Sequence, residues 1–335
     1  MNSLVPKQFE AYPWQQEGLR YYALRLFLQQ KFGGPVRKIT LDAGFSCPNV
    51  DGTLGWDGCI FCNLASFSPA RRQSSRPIRE QIQQAAEKLR QRYGTCQFLA
   101  YFQPGTNTYG PVEKLRQLYQ EALQEPGIVG LCIGTRPDCV PDEVLDLLAE
   151  LAQKSWVLLE LGLQTIHNRT LHWIGRHHTY EAFLDAVDRA QKRRLSIGAH
   201  VIVGLPGESA EDVQATAQEI ARLGLHSVKI HNLYVARQTR LAQSYQEGQV
   251  RLPSLEEYVG LVVDFLERLP PDCVIDRLCA DCPPEYLVAP NWSARKATVV
   301  AAIEAELQRR DTYQGRLFGN LSPPASLPTL PETTF

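Results

Sequence analysis

Gly44 to Phe67 reads GFSCPNVDGTLGWDGCIFCNLASF, a loop with three cysteines (Cys47, Cys59, Cys62), four glycines and Phe61 directly before the last cysteine. Three thiolates leave one ligand of a tetrahedral set missing. A cubane iron–sulfur cluster can be held through three of its irons, with the fourth left open to a small molecule. A structural zinc ion ordinarily closes with four protein ligands, and this loop contains neither a histidine nor a fourth cysteine. A thioredoxin-like pair would use Cys59 and Cys62 but would need neither Cys47 nor the glycine-rich run. These residues favour the cluster and leave zinc and ordinary thiols as alternatives.

Outward from the loop, the chain alternates. Val36 to Leu41 reads as a strand that feeds the cysteine loop, and 17–31 before it reads as a helix ending at Gly33, Gly34 and Pro35. Helical spacing recurs over 79–93, 112–123, 141–151, 179–194 and 210–223, and short apolar runs suited to buried strands cover 96–102, 128–133, 156–161, 196–203 and 226–233. Six strand–helix units argue for a parallel sheet and fall short of the eight units of a complete barrel. Periodicity alone leaves an open doubly wound sheet and an incomplete barrel both standing. In either, functional groups belong at the carboxyl ends of the strands, where the cysteine loop sits. Beyond Leu233, helices are expected over 254–269 and 293–310 around the proline-rich PPDCVIDRLCADCPPEYLVAP, as a lid or cap, and 318–335 reads as a disordered tail.

Composition restricts function less. The 335 residues are 44% hydrophobic and 21% charged, and 35 basic side chains against 36 acidic ones give a net charge of -1, with no global nucleic-acid signature. No run of eighteen apolar residues suggests a membrane span, and MNSLVPKQFEAYPWQQEG lacks a signal-peptide pattern, so a cytoplasmic location is expected. Nine cysteines, an odd number without an export signal, argue against a disulfide scaffold.

With loop and strand ends placed, the chain resembles the radical S-adenosylmethionine (SAM) superfamily, and within it the YhcC/YtqA-like branch related to the elongator catalytic subunit and oxygen-independent coproporphyrinogen oxidase. The resemblance runs from about Tyr21 to Phe318 and rests on LDAGFSCPN (41–49), GCIFCN (58–63), TNTY (106–109), GTRPD (134–138), ELGLQT (160–165), GLPGE (204–208) and VKIHNLYV (228–235). The superfamily's common pattern has three residues between its first two cysteines, whereas eleven lie between Cys47 and Cys59. The longer loop is similar to that of this branch.

The resemblance implies an α/β fold, an incomplete (β/α)6 barrel with N- and C-terminal helical extensions. It divides the chain into a helical extension over 1–35, the partial barrel over 36–235, a helical cap over 236–317 and the tail over 318–335. It implies a [4Fe-4S] cluster on Cys47, Cys59 and Cys62, SAM on the open iron, a 5′-deoxyadenosyl radical as the agent of hydrogen removal, and a reducing partner such as flavodoxin or ferredoxin. Phe61 matches an aromatic packed near the adenine. Gln103 falls where relatives offer backbone groups to the methionine amine, Gln164 matches a SAM-contacting glutamine, and Arg176 resembles the arginine that pairs with the SAM carboxylate. His200 occupies the place of an aspartate in coproporphyrinogen oxidase relatives. Gly134 replaces a glutamate that some relatives use on the ribose, with Thr135 as a substitute. Asn107, Tyr109, Arg136, Lys229, His231 and Tyr234 are candidates for substrate contact or proton transfer. Kinship with the elongator branch implies tRNA, and a wobble uridine in particular, as substrate; a small metabolite or a protein partner is the alternative, and a binding protein without turnover is another.

Each assignment also has an ordinary reading. Gln103, Thr135 and Gln164 also read as strand-end polar groups satisfied by backbone, and Arg176 as a solvated surface residue. Gly204 and Gly207 suit a close approach of backbone to the adenine. Cys273, Cys279 and Cys282 form a second set that invites a metal, with prolines at both flanks. Cys96, Cys132 and Cys139 read as buried thiols. Basic groups cluster at Arg71, Arg72, Arg76 and Arg79, at Lys192, Arg193 and Arg194, and at Arg309 and Arg310; each reads as solvated surface, and the first, directly after the cysteine loop, also suits a phosphate backbone.

Overall fold

The computed structural model describes residues 12–68, 71, 76–94 and 96–319. The expected tail from 320 onward, residues 1–11 and Arg72 lie outside the described residues. The helices α1 (Pro13–Gln16) and α2 (Leu24–Phe32) precede β1 (Val36–Leu41). There follow α3 (Leu64–Phe67), α4 (Ile78–Tyr93), β2 (Gln97–Phe102), α5 (Val112–Gln124), β3 (Ile128–Thr135), α6 (Asp142–Ala152), β4 (Trp156–Gln164), α7 (Asn168–Trp173), α8 (Tyr180–Lys192), β5 (Ser196–Val203), α9 (Ala210–Leu223) and β6 (Ser227–Asn232). The chain continues through β7 (Val235–Ala236), α10 (Arg240–Gln246), α11 (Leu255–Arg268), β8 (Val274–Arg277), β9 (Leu287–Ala289) and α12 (Lys296–Arg309). Ser209 and Ser254 each form a reciprocal capping box that satisfies free N–H groups at the starts of α9 and α11.

One sheet runs β1-β2-β3-β4-β5-β6-β8, with every neighbouring pair parallel. The seventh strand comes from the segment expected to form a cap. VIDR supplies it once α11 has crossed back over the sheet, and its first residues pair with Ser227 and Val228.

Whether this sheet is open or curled is decided by one ion pair. A flat sheet of this order would set β1 and β8 roughly 30 Å apart, yet Lys38 Nζ on β1 lies 2.5 Å from Asp276 Oδ2 on β8. The sheet is therefore curled into an incomplete barrel. The segment before α2 helps close the gap, with Ile275 N–H donating to the Tyr22 carbonyl at 2.8 Å.

Strand alternation then sorts side chains into two environments. Phe98, Ala100 and Phe102 on β2, and Leu159 and Leu161 on β4, face the helices in the main core. Leu99, Tyr101, Cys132 and Leu158 point the other way, into the barrel, where Phe27, Phe32 and Leu28 of α2 plug its lower mouth. Phe27 packs on Trp156 and His226 with ring centroids 5.7 and 4.8 Å away.

That plug has a consequence for acid stability. Burial, reinforced by Lys31 and opposed by Asp272, lowers the His226 pKa to about 4. The unfolded imidazole takes up a proton near ~6.5. As pH falls from ~6.5 to 4, the unfolded chain therefore binds a proton that the folded chain refuses, and stability falls with it. His226→Phe is expected to flatten this dependence by about 2 kcal/mol, discounted for partial exposure. Urea unfolding at pH 7.5 and pH 5 checks it; equal slopes in both proteins would remove His226 as the cause.

Candidate active site

The inward face above the α2 plug carries charge. Register places Lys38, Tyr101, Cys132, Glu160, His200 and Lys229 on successive strands, each facing the barrel interior. The Glu160 carboxylate is 1% exposed and accepts from Lys38 Nζ at 2.9 Å, Lys229 Nζ at 3.1 Å and His200 Nε2 at 2.7 Å. Burial opposes its ionisation, but Lys229, Lys38 and His200 outweigh burial and hold it well below the usual carboxylate range. Lys229 also donates to the Tyr101 hydroxyl at 2.6 Å. Burial pushes the His200 pKa down, helped by Lys229 and opposed by Glu160, so its imidazole is neutral near pH 7.

Above this layer, at the carboxyl ends of the strands, opens a cavity of about 280 Å³. The cysteine loop forms one wall. Its extra length is folded back on itself: Val50 N–H donates to the Cys47 carbonyl at 2.9 Å, Leu54 N–H to Pro48 at 2.8 Å, Gly58 N–H to Asn49 at 2.8 Å and Cys62 N–H to Cys59 at 3.0 Å. Other segments hold it in place. Asn49 Nδ2 donates to the Gly175 carbonyl at 2.9 Å, Ile60 N–H to Ile174 at 3.0 Å, and Asn63 Nδ2 to Arg237 at 3.0 Å.

Cys47, Cys59 and Cys62 all line the cavity, together with Phe61, Gln103, Thr135, Arg136, Gln164, Arg176, His200, His231 and Tyr234. Arg176, expected either at the cofactor or in solvent, is 8% exposed, with Nη2 on the Gly162 carbonyl at 2.9 Å and Nη1 3.6 Å from Cys59 Sγ. Gly162 makes room for it, since a Cβ there would stand 2.6 Å from Arg176 Nη2 and 2.9 Å from Gln164 Nε2. Gln164 itself has φ +72°, which turns the chain sharply at the end of β4. The Thr135 hydroxyl meets the Thr108 hydroxyl at 2.5 Å, Gln103 Nε2 donates to the Phe67 carbonyl at 3.4 Å, and Arg136 grips Asp138 with two bonds of 2.9 and 2.7 Å.

Three candidates stand elsewhere. Asn107 is fully buried and braces the loop after β2, donating to the Gly134 carbonyl at 2.8 Å. The Tyr109 hydroxyl meets Thr53 Oγ1 at 2.8 Å and ties the tip of the cysteine loop to that same loop. Lys229 lies beneath the cavity floor, held by Glu160 and Tyr101. Gly204 does not line the cavity; it accommodates Pro253, whose Cγ would lie 2.8 Å from an added Cβ. Cys273 and Cys279 are core packing groups, their pKa values pushed by burial to about 12 and about 11. The buried charges Lys38, Glu160 and Asp276 were missed by sequence reasoning; charged residues at inward positions of otherwise apolar strands, as in VRKITL and WVLLELGLQ, are the signal that marks them.

The donor set indicates what fits here. Among the described residues, no three His, Cys, Asp or Glu side chains stand close enough to share a single metal ion. Cys47, Cys59 and Cys62 are nevertheless close enough to feel one another's charge, and burial together with Cys59 and Cys47 pushes the Cys62 thiol up to about 12. Three thiols on one cavity wall that do not form a single-ion site suit separate metals of one polynuclear cationic centre, which would stabilise the thiolates. Arg176 Nε is buried without a hydrogen-bond partner, so acceptors from a bound group also fit.

A curled parallel sheet with a three-cysteine loop after its first strand defines the radical SAM class, and the chain belongs to the radical SAM superfamily. The superfamily's family model matches residues 56–220, and the model of the Radical_SAM C-terminal domain matches 225–309. The chain is similar to the uncharacterized protein YtqA of Bacillus subtilis, 36% identical over 320 residues, covering 96% of this chain and 99% of that one. A segment is similar to the tRNA uridine(34) acetyltransferase of Methanocaldococcus jannaschii, 28% identical over 164 residues, 48% of this chain and 30% of that protein. In fold it is similar to Elp3 of Methanocaldococcus infernus with an N-terminal deletion, with TM-score 0.62 at 18% identity over 83% of this chain and 64% of that one. The family implies a [4Fe-4S] cluster and SAM.

Proposed function

We propose that this chain is a radical SAM enzyme, with Cys47, Cys59 and Cys62 holding a [4Fe-4S] cluster and Phe61, Gln103, Thr135, Gln164 and Arg176 holding SAM beside it. The observation that carries this reading is the convergence of the three cysteines and Arg176 on one cavity. When bound, the cluster supplies the electron that cleaves SAM to a 5′-deoxyadenosyl radical, which takes hydrogen from the substrate. The chain's own part is placement. Arg176 presents its guanidinium beside Cys59, where a carboxylate can pair with it. Phe61 offers an apolar face at the cavity wall, and Glu160 fixes the His200 ring in the floor. A flavodoxin or ferredoxin would deliver the electron, and the cytoplasm would be the site of action.

Anaerobic reconstitution with iron and sulfide, followed by dithionite and SAM, is expected to yield 5′-deoxyadenosine. A fully loaded protein that makes none, with or without cell extract as a source of substrate, would sink the reading. Arg176→Gln is expected to weaken SAM binding roughly 10- to 100-fold, as loss of a hydrogen-bonded charge does, measured by equilibrium dialysis.

For the substrate, the pairing of surface cations within the protein supports a small molecule better than a polyanion. Many of the arginines and lysines in the three basic clusters are engaged by the protein itself: Arg71 with Asp42 at 2.7 Å, Arg79 with Glu125 at 2.8 Å, Lys192 with Asp188 at 2.6 Å, Arg193 with Asp146 at 2.6 Å, and Arg309 and Arg310 with Glu306 at 2.7 and 2.6 Å. The second reading, modification of a tRNA wobble uridine, is supported by the likeness to the uridine(34) enzyme. Profiling a deletion strain separates them: altered metabolites with unchanged modified nucleosides fit the first, the reverse pattern fits the second.

A further inference from the structure

The cavity is chemically uneven along the strand order. Over β2 to β4 stand the groups assigned above to SAM. Over β6 and β8 stand His231, Asn232, Tyr234 and Arg277, which also line it. Arg277 ends β8 half-buried, and its guanidinium forms neither an ion pair nor a hydrogen bond with any described residue, although Asp276 beside it is bound to Lys38. Asn232 is 2% exposed. Its Oδ1 accepts from Ala280 N–H at 2.9 Å, which fixes the amide orientation, and its Nδ2 is buried with no partner. His231 stacks on His200 with centroids 5.6 Å apart, and its Nε2 is likewise buried and unpartnered.

This end of the cavity therefore offers donors without acceptors. The nearby carboxylates are committed: Glu160 to Lys38, Lys229 and His200, and Asp276 to Lys38. The carboxylate that does line the cavity, Asp57, is solvent-exposed on the cysteine loop. A buried unpaired donor is costly, and a guanidinium without a counter-ion in a partly dry site adds to that cost. Both costs are removed by one kind of occupant.

We propose that Arg277, Asn232 Nδ2 and His231 form a subsite for an anionic oxygen group, a carboxylate or a phosphate, carried by the substrate. Lys229, the register partner of Arg277, is neutralised by Glu160 at 3.1 Å, which leaves the charge of Arg277 for the anion. Burial, Arg277, His200 and Lys229 outweigh Glu160 and keep His231 neutral, so it meets an anion through the tautomer that carries its proton on Nε2 rather than as a cation. The subsite rests on the radical SAM reading only in assigning the anion to the substrate of that reaction.

The test uses the full chain with its cluster reconstituted and SAM bound, in the absence of reductant, and titrates malonate and inorganic phosphate separately by calorimetry at constant ionic strength. Saturable binding of at least one is expected. Malonate alone identifies carboxylate substrates, and phosphate alone identifies phosphorylated ones. Arg277→Gln is expected to weaken that binding roughly 10- to 100-fold, Arg277→Lys less, with the Kd for SAM changing much less than the Kd for the anion. Asn232→Asp, which places a negative charge at the same point, serves if Arg277→Gln does not fold by circular dichroism. The proposal is overturned if neither anion saturates the wild type, if the folded variants bind as tightly as the wild type, or if Arg277→Gln loses SAM and anion in parallel. Anion binding without any 5′-deoxyadenosine would retain the subsite and remove the radical reading, so the two fail separately.

Discussion

Cys59→Ala is expected to lose the iron–sulfur absorbance and to reduce 5′-deoxyadenosine formation more than ~100-fold, a larger loss than changes in a metal's outer shell produce. Cys59 is the most enclosed of the three loop cysteines at 7% exposure, and it receives donors from two directions, Asn49 Nδ2 at 3.4 Å and Arg176 Nη1 at 3.6 Å. Those donors would hydrogen-bond a metal-bound sulfur. Cys47→Ala and Cys62→Ala should behave alike, because each thiolate would hold a different iron. Cys279→Ala, in the second cysteine group, should leave the iron content intact while costing some core packing. The measurement is iron and zinc per chain after anaerobic reconstitution, alongside the product assay. Retained iron and product in Cys59→Ala would overturn the assignment, and zinc in place of iron would restore the structural-site reading of the loop.

Glu160→Gln is expected to destabilise the fold by about 3–5 kcal/mol, the cost of removing one partner from a buried charge cluster. The amide keeps the shape but not the charge. Lys38 retains Asp276 at 2.5 Å, whereas Lys229 is left with the Tyr101 hydroxyl and no carboxylate. Burial already pushes the Lys229 pKa down, so in the variant the lysine is driven towards its neutral form. The loss should therefore shrink as pH rises towards the ordinary lysine range near ~10, where an uncharged amine needs no counter-ion. Adding Lys229→Met should recover part of the stability, a coupling that a double-mutant cycle measures. Urea unfolding of the four proteins at two pH values decides the matter. A loss below about 1 kcal/mol with no pH dependence would mean that Glu160 carries no such burden.

The two predictions draw on different kinds of information. The cysteine loop was legible because its chemistry is local: residue type and order nominate Cys47, Cys59 and Cys62 before any contact is known. Phe61, Gln103, Thr135, Gln164, Arg176 and His200 were legible through the motifs that surround them, and all six line the cavity. Asn107 and Tyr109 share one such motif, yet they serve as braces, because a motif fixes chain position and not side-chain direction. Glu160 sits inside the recognised ELGLQT and was still passed over. Its meaning depends on Lys38 and Lys229, respectively 122 and 69 residues away along the chain.

The same division applies to the fold. Apolar periodicity alone determined that strands and helices alternate and that the sheet is parallel, since period and connection length are properties of consecutive residues. Curling of the sheet, recruitment of VIDR as its seventh strand and the collection of donors around Arg277 were decided only by tertiary structure. Those features arise from partners far apart in sequence, brought together by the twist and closure of the sheet, which one-dimensional spacing does not encode.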